Sequence, residues 1–336
     1  MIKVKYLNKP NTFAGTWIPF GIGLGFLFIV LEIFSLVLDN YILHIITVIG
    51  IYIIAATSLN LTNGYTGLFS LGHTGFMAIG AYTSVLLTYK VSLRAAYNLP
   101  SLPTLLGGAN YQWPFLPALL MGGVIAAIMA IIIGYPVLRL KGHYLAVASL
   151  GFMIIVTTVA KGMKSFTRGA SGIQVIPHYS NLWNVYICVA ITVFVLWRIL
   201  QSAPGRAMLA IRESEVSAQS QGINLMKYKL YAFVGGAFFA GIAGGLYAHF
   251  TRSIRPYEFS FSMTFFIVIM PIIGGSRNLF GPALGASLLI AMRYLLKPAE
   301  EALGVYGLVE LIYAALLVSV MIWRPGGILG KEFRVK

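Results

Sequence analysis

The chain has 336 residues, of which 58% are hydrophobic and 10% are charged. A soluble globular chain is about 45–50% apolar and about 25% charged, so this composition excludes an ordinary soluble domain. The net charge of +15 would suggest a nucleic-acid ligand in a soluble protein. Here the basic residues stand mostly at the ends of apolar blocks. This placement favours contacts with anionic lipid headgroups, so we predict no nucleic-acid partner.

Apolar blocks of about 20 residues, the length that an α-helix needs to cross a bilayer, recur along the whole chain. We predict an all-α integral membrane protein with about ten transmembrane helices. In chain order the predicted spans are residues 18–38, 41–59, 70–88, 115–133, 144–160, 183–199, 230–250, 261–273, 283–296 and 306–323. Pro271 leaves a broken helix as the alternative for the eighth span.

Lysine and arginine give the orientation, because cytoplasmic loops carry an excess of these residues. If the N-terminus is cytoplasmic, fifteen of the 24 lysines and arginines fall on the inner side. Both termini are then predicted to be cytoplasmic, and residues 1–336 to form a single polytopic domain. The basic N-terminus precedes a long apolar run without a clear cleavage site, so we interpret that run as a retained span.

The longest polar stretch on the predicted cytoplasmic side covers residues 201–229. Ser202 can cap a helix, Pro204 suits a first turn and Gly222 is a plausible stop. Two short amphipathic helices are therefore predicted, at residues 207–213 and 216–221. The side chains expected to be displayed are Arg206, Arg212, Glu213 and Glu215. Amphipathic faces of this kind pack on the protein itself or dock a partner, and the spacing leaves both open.

The stretch from Asn60 to Thr83 reads NLTNGYTGLFSLGHTGFMAIGAYT and combines glycines with polar residues at membrane depth. Interrupted helices of this composition build transport pathways, whereas the alternative is tight helix packing. The candidate pathway residues are Asn63, Gly64, Gly67, Ser70, Gly72, His73 and Gly75. A lone histidine is a poor metal site, so we predict no metal.

Few ionisable residues fall within the spans. Glu32 lies inside the first span, while Arg293 and Glu310 stand nearer to span ends and are interpreted as snorkelling. The chain lacks a G-x-x-x-x-G-K-[ST] run and the common hydrolase motifs. We therefore expect neither an enzyme nor a cofactor bound by this chain.

Five segments in this order resemble the permease subunits of branched-chain amino-acid ABC importers, and they are more similar to the M-type than to the H-type subunit. They are NGYTGLFSLGHTGFMAIGAYTS, RLKGHYLAVASLGF, TRGASGI, PGRAMLAIRESEVSAQSQGIN, and GGSRNLFGPALGA followed by IWRPGGILG. The resemblance implies a single permease domain in a prokaryotic inner membrane. It also makes residues 201–229 a coupling segment, with contacts to an ATPase expected at Gly205, Arg206, Ala210, Arg212, Glu213 and Gly222.

The same resemblance implies that the chain carries branched-chain amino acids into the cytoplasm. The implied partners are a second permease subunit, two ABC ATPase subunits that hold ATP and magnesium, and an extracytoplasmic solute-binding protein. A permease for urea or a short amide is an alternative within the same family. A stand-alone channel or ion-coupled transporter is an alternative of another class, which the scarcity of intramembrane acids disfavours.

Overall fold

The structure is a computed structural model. It describes residues 25, 28, 29, 31–90, 94, 112–140, 142–304 and 307–330. Part of the predicted first span, most of the loop at residues 91–113, Lys141 and both chain ends lie outside the described residues. Internal contacts divide the chain into two compact units between Ile46 and Thr47. The single-domain prediction stays a prediction.

The described part is built almost entirely from helices, named here in chain order. They are α1 (Asn40–Asn60), α2 (His73–Thr88), α3 (Phe115–Val137), α4 (His143–Gly162), α5 (Lys164–Thr167), α6 (Leu182–Gln201), α7 (Ala203–Glu213), α8 (Glu215–Ser220), α9 (Leu225–Thr251), α10 (Phe261–Gly274), α11 (Gly281–Leu303) and α12 (Leu308–Trp323). A π-helical turn, Leu61–Tyr65, extends α1, and 3-10 turns form at Gly169–Ser171 and Pro256–Glu258.

The helices confirm the prediction of an all-α, multi-pass membrane protein. In the described part, α1 with its π-turn, α3, α4, α6 and α9 are each long and apolar enough to cross a membrane, and α10 and α12 are shorter apolar helices. Each predicted span after the first coincides with one helix. Pro271 does not break α10, which continues to Gly274.

Helices α2, α3 and α9 pack on one another through glycines. A Cβ atom on Gly80 of α2 would overlap the backbone of Gly241 in α9. A Cβ atom on Gly122 of α3 would lie 2.7 Å from the carbonyl oxygen of Gly80. Small residues let membrane helices approach to backbone contact, so van der Waals packing holds this trio together.

The outer helices show the opposite pattern of burial. Two-thirds of the most apolar stretch of α9 is buried, against one-third of that of α3. Large apolar side chains on the rim, including Ile132, Val147 and Leu311, are more than half exposed. In water such a surface would be an aggregation hazard, whereas in a bilayer it contacts acyl chains.

A two-stranded antiparallel ribbon joins two connections of the bundle. Strand β1 (Ile173–Gln174) pairs with β2 (Ser253–Ile254), and Ile173 stands opposite Ile254. Both isoleucines are fully buried. The hydroxyl of Tyr89, just after α2, donates to the carbonyl of Gln174 at 2.7 Å. The ribbon thereby fixes the loop after α9 against the end of α2.

Candidate functional site

The predicted pair of short helices forms in residues 201–229 as α7 and α8. Pro204 stands in the first turn of α7, as expected from its fixed backbone angle. Ser202 precedes α7, but its hydroxyl donates back to the carbonyl of Ile199 and does not cap the helix. The cap of α8 is instead Ser214, whose Oγ accepts a 3.2 Å hydrogen bond from the amide of Ser217.

Gly222 ends α8, as predicted. Its φ is +79°, the left-handed region that favours glycine. Its amide donates to Gln219, and the amide of Ile223 donates to Ala218, at 3.0 and 3.1 Å. These two bonds form a Schellman motif, which satisfies the last carbonyls of the helix and turns the chain towards α9.

One face of the two helices packs on the protein itself. Met208 and Ile211 of α7 and Ala218 of α8 are about 98–99% buried. Glu215 accepts a 2.6 Å salt bridge from Lys229, a buried residue of α9. The expected self-packing face is therefore present. Glu215 also keeps 43% of its side chain exposed, so it is displayed as expected and is tied to α9 by this ion pair.

The opposite face remains exposed in the described structure. Leu209 is 39% exposed and Val216 is 79% exposed. The charged side chains of Arg206 and Glu213 flank these apolar residues and are also exposed, while Ala210 is half-buried. The two faces thus correspond to the two alternatives that spacing left open, one inward and one outward.

Gly205 belongs to the inward set, which corrects its expected place on the docking surface. It is buried, and a Cβ atom there would lie 2.5 Å from the Cα of Leu200. The absence of a side chain lets the start of α7 fold closely onto the end of α6. Spacing could not reveal this, because the contact depends on the sharp turn at Ser202.

Arg212 is also not displayed as expected. It is half-buried, and its Nη1 donates to the carbonyl oxygen of Gly64 in the π-turn. Burial and then the positive charge of Arg277 lower the pKa of the Arg212 guanidinium. Arg277 in turn lies 3.6 Å from Glu213. The coupling segment therefore contacts the candidate pathway stretch directly through Arg212.

The candidate pathway stretch is an interrupted helix, as predicted. After α1, the chain makes the π-turn and then runs without helix from residue 66 to residue 72. The Asn63 side chain bridges this break, since its Oδ1 accepts from the amide of Ser70 at 3.1 Å and its Nδ2 donates to the Ser70 carbonyl at 3.2 Å. Irregular backbone is tolerated at membrane depth where such bonds satisfy it.

Several of the candidate pathway positions are occupied by protein packing. A Cβ atom on Gly72 would lie 2.7 Å from the carbonyl oxygen of Ser149. A Cβ atom on Gly75 would lie 3.1 Å from the ring of Phe152. The absence of side chains at both glycines therefore allows α4 to pack closely here. The Nε2 of His73 lies 2.8 Å from the hydroxyl of Ser58. Tight packing, the alternative reading of the glycines, therefore describes these positions.

Gly64 and Gly67 lie on the side of the break that faces α7. Gly64 is buried, and a Cβ atom there would lie 2.6 Å from the carbonyl oxygen of Ser276. Gly67 is exposed at φ +73° and lies against the Arg212 side chain. Phe69 in the same loop is 48% exposed. The exposed surface of the break is thus limited to a few residues next to the coupling segment.

Comparison with known proteins agrees with the resemblance found in the sequence. Residues 41–322 match the family described as branched-chain amino acid transport system / permease component. The high-affinity branched-chain amino acid transport system permease protein LivM of Salmonella typhimurium is 33% identical over 319 residues, covering 85% of this chain and 69% of that protein. LivM of Escherichia coli gives the same identity and coverage.

A more distant relative is covered more completely. The probable branched-chain amino acid transport permease protein LivM of Methanocaldococcus jannaschii is 25% identical over 321 residues, covering 84% of this chain and 91% of that protein. No solved structure matches this chain. Because the family match extends over most of the sequence and includes both the interrupted helix and the coupling segment, the chain belongs to the permease-component family of branched-chain amino acid transport systems.

Proposed function

We propose that this chain is a permease subunit of an ABC importer and carries branched-chain amino acids into the cytoplasm. Family membership and the relatives named LivM support this proposal. The helices that can cross a membrane supply the scaffold. The observation that carries the mechanism is the two-faced pair α7 and α8, whose inner face reaches Gly64 through Arg212 while the outer face is exposed.

An ATPase subunit would dock on the exposed outer face. Leu209 and Val216 offer apolar contact there, and Arg206 and Glu213 offer charges that fix register more than affinity. Closure of the ATPase would push α7 as a unit, because its inner face is fully packed. The Arg212 side chain would pass that displacement to the broken segment between α1 and α2.

The complete importer would contain four further components. A second permease subunit, expected to be a paralogue, would face this chain across the pathway. Two ABC ATPase subunits would bind ATP and magnesium, since this chain has no P-loop. An extracytoplasmic solute-binding protein would deliver the amino acid.

The test is uptake by the assembly purified from its native membrane through an affinity tag on this chain. After reconstitution into liposomes with the solute-binding protein outside and ATP inside, we expect ATP-dependent accumulation of radiolabelled leucine. Excess isoleucine or valine should abolish it and excess urea should not. Inhibition by urea alone would favour the short-amide alternative. Gradient-driven uptake by the tagged chain without ATPases would contradict the proposal.

A further inference from the structure

A cavity of about 470 Å³ lies between α9, α10, α11, α12 and the turn Pro256–Glu258. It is remote from the coupling segment. Lys229, which pairs with Glu215, stands near the start of α9, while the cavity residue Tyr247 is eighteen residues further along. That spacing corresponds to about 27 Å of helix. The volume lies within the range of about 300–1,000 Å³ that is typical of small-molecule sites.

Arg293 of α11 contributes a cation to the cavity wall. Its guanidinium carbon lies 5.6 Å from the ring centroid of Phe266, a cation–π contact. Among the described residues, no carboxylate lies within ion-pair distance of it. Within the described part of the chain, this cation therefore has an aromatic neighbour and no ion-pair partner.

Glu258 contributes a carboxylate to the same cavity. Its Oε2 is buried and has no hydrogen-bond partner in the described part of the chain. Burial raises the pKa of this carboxyl, and the neighbouring Arg255 opposes that rise. A buried acceptor without a donor costs free energy, which a bound ammonium group would recover.

Aromatic rings form the apolar wall between these charges. Phe266 contacts Tyr52 edge-to-face at a centroid distance of 5.7 Å and Tyr313 at 5.2 Å. The Tyr313 hydroxyl donates to the carbonyl of Leu289 at 3.0 Å, which fixes this ring against α11. The wall is therefore apolar and held in place, as a site for an aliphatic group requires.

We propose that this cavity binds an α-amino acid with an apolar side chain as its zwitterion. Arg293 takes the carboxylate, Glu258 takes the ammonium group, and the aromatic wall takes the side chain. A second carboxylate, Glu310, also lines the cavity, so the lining is net negative and disfavours anions. The choice of an amino acid rests on the proposed function, whereas the pairing of a cation, an anion and an apolar wall does not.

The first test uses the wild-type assembly, purified with its ATPases in lipid nanodiscs and without the solute-binding protein. Radiolabelled leucine is bound, and leucinol, isocaproate and lysine are added as competitors. Leucinol lacks the carboxylate and isocaproate lacks the ammonium group. Each should compete at least roughly tenfold more weakly than leucine, because each loses one charged hydrogen-bonding partner. Equal competition by either analogue, or stronger competition by lysine, would overturn the proposal.

The second test assigns each charge to a residue. The Arg293→Gln substitution should weaken leucine binding about tenfold. The variant should then bind leucine and leucinol with equal affinity. Glu258→Gln should weaken leucine binding similarly and bind leucine and isocaproate equally. Lys297→Gln and Glu301→Gln are matched controls on α11 outside the cavity, and they should bind leucine as the wild type does. Variants that behave like these controls would refute the assignment.

The two proposals can fail separately. Co-purified ATPase activity shows whether each variant assembles, and the wild-type competition series decides the question if a variant does not. Leucine uptake with no discrimination between leucine and its analogues would refute the cavity site alone. Discriminating leucine binding without ATP-dependent uptake would refute the importer function alone.

Discussion

The two arginines of α7 have different surroundings. Arg206 is exposed and donates to the carbonyl of Gln201 at 3.1 Å, within its own segment. Arg212 donates to Gly64, which lies 148 residues away in the chain. A contact between distant segments constrains their relative position, whereas a local one does not. On the proposed function, the two residues would have separable roles, Arg206 in docking and Arg212 in transmission.

We expect Arg212→Ala to reduce leucine transported per ATP hydrolysed, because the carbonyl of Gly64 loses its donor. The midpoint of thermal unfolding should also fall, by an amount corresponding to about 1–2 kcal/mol for this half-buried, charged hydrogen bond. Arg206→Ala is the matched control and should leave the unfolding midpoint unchanged. Equal unfolding midpoints for both variants would show that the contact with Gly64 contributes nothing to stability.

The exposed face of α7 and α8 carries the docking proposal. Val216→Asp should lower the amount of ATPase that co-purifies with the tagged chain, since an apolar contact becomes a desolvated charge. The amount of chain in the membrane should not change, because Val216 is 79% exposed.

The control for Val216→Asp is Ser217→Asp, which adds the same charge one residue later. This carboxylate lies near the N-terminus of α8, where it interacts favourably with the helix dipole, so the helix should remain folded. Normal ATPase recovery with Val216→Asp would place the docking surface elsewhere.

The glycine contacts among α2, α3 and α9 lead to a second prediction about helix packing. Gly80→Ala should destabilise the protein by about 1–3 kcal/mol, since the added methyl overlaps the backbone of α9. Gly151→Ala in α4 meets no atom within 4 Å and should be neutral or stabilising by up to about 1 kcal/mol. Thermal unfolding in detergent measures both, and a Gly80→Ala variant as stable as Gly151→Ala would contradict the packing argument.

The apolar blocks predicted the positions of the helices well, but polar residues at the ends of the helices shifted some of the boundaries. The span predicted at residues 230–250 begins at Leu225, because Asn224 caps α9 by accepting from the amide of Lys227 at 3.1 Å. Lys229 then lies inside the helix, where the ion pair with Glu215 accommodates its charge. Composition predicts a span from its apolar residues. It misses a polar helical turn that contacts with a neighbouring segment stabilise.

The orientation of the whole chain in the membrane is a prediction that cysteine labelling can test. Cys188 is the single cysteine and is buried, so introduced cysteines should report accessibility with little background. With the N-terminus cytoplasmic, Ser220→Cys should react with a membrane-impermeant maleimide only after the cells are opened. Tyr257→Cys, 54% exposed near the far end of α9, should react in intact cells. The reverse pattern would invert the assigned topology.

The sequence indicated the fold class, the interrupted helix and the two short helices of residues 201–229, since each leaves a local pattern. It did not indicate which residues meet across the bundle. Arg212 and Gly64 are far apart in the chain, as are the elements that supply Arg293 and Glu258 to one cavity. Arg293 and Glu310 looked like span-end residues when each helix was considered alone. Three-dimensional packing alone brings them to a common wall.

The backbone contact of α2, α3 and α9 also limits how the protein can move. With no side chains between the helices at Gly80, Gly122 and Gly241, rotation of one helix about its axis would drive Cβ atoms of adjacent residues into a facing backbone. We therefore expect the trio to translate or tilt as one rigid body. A hinge between α1 and α2 would then lie in residues 66–72. The two hydrogen bonds between the Asn63 side chain and the Ser70 backbone would have to break for this hinge to open.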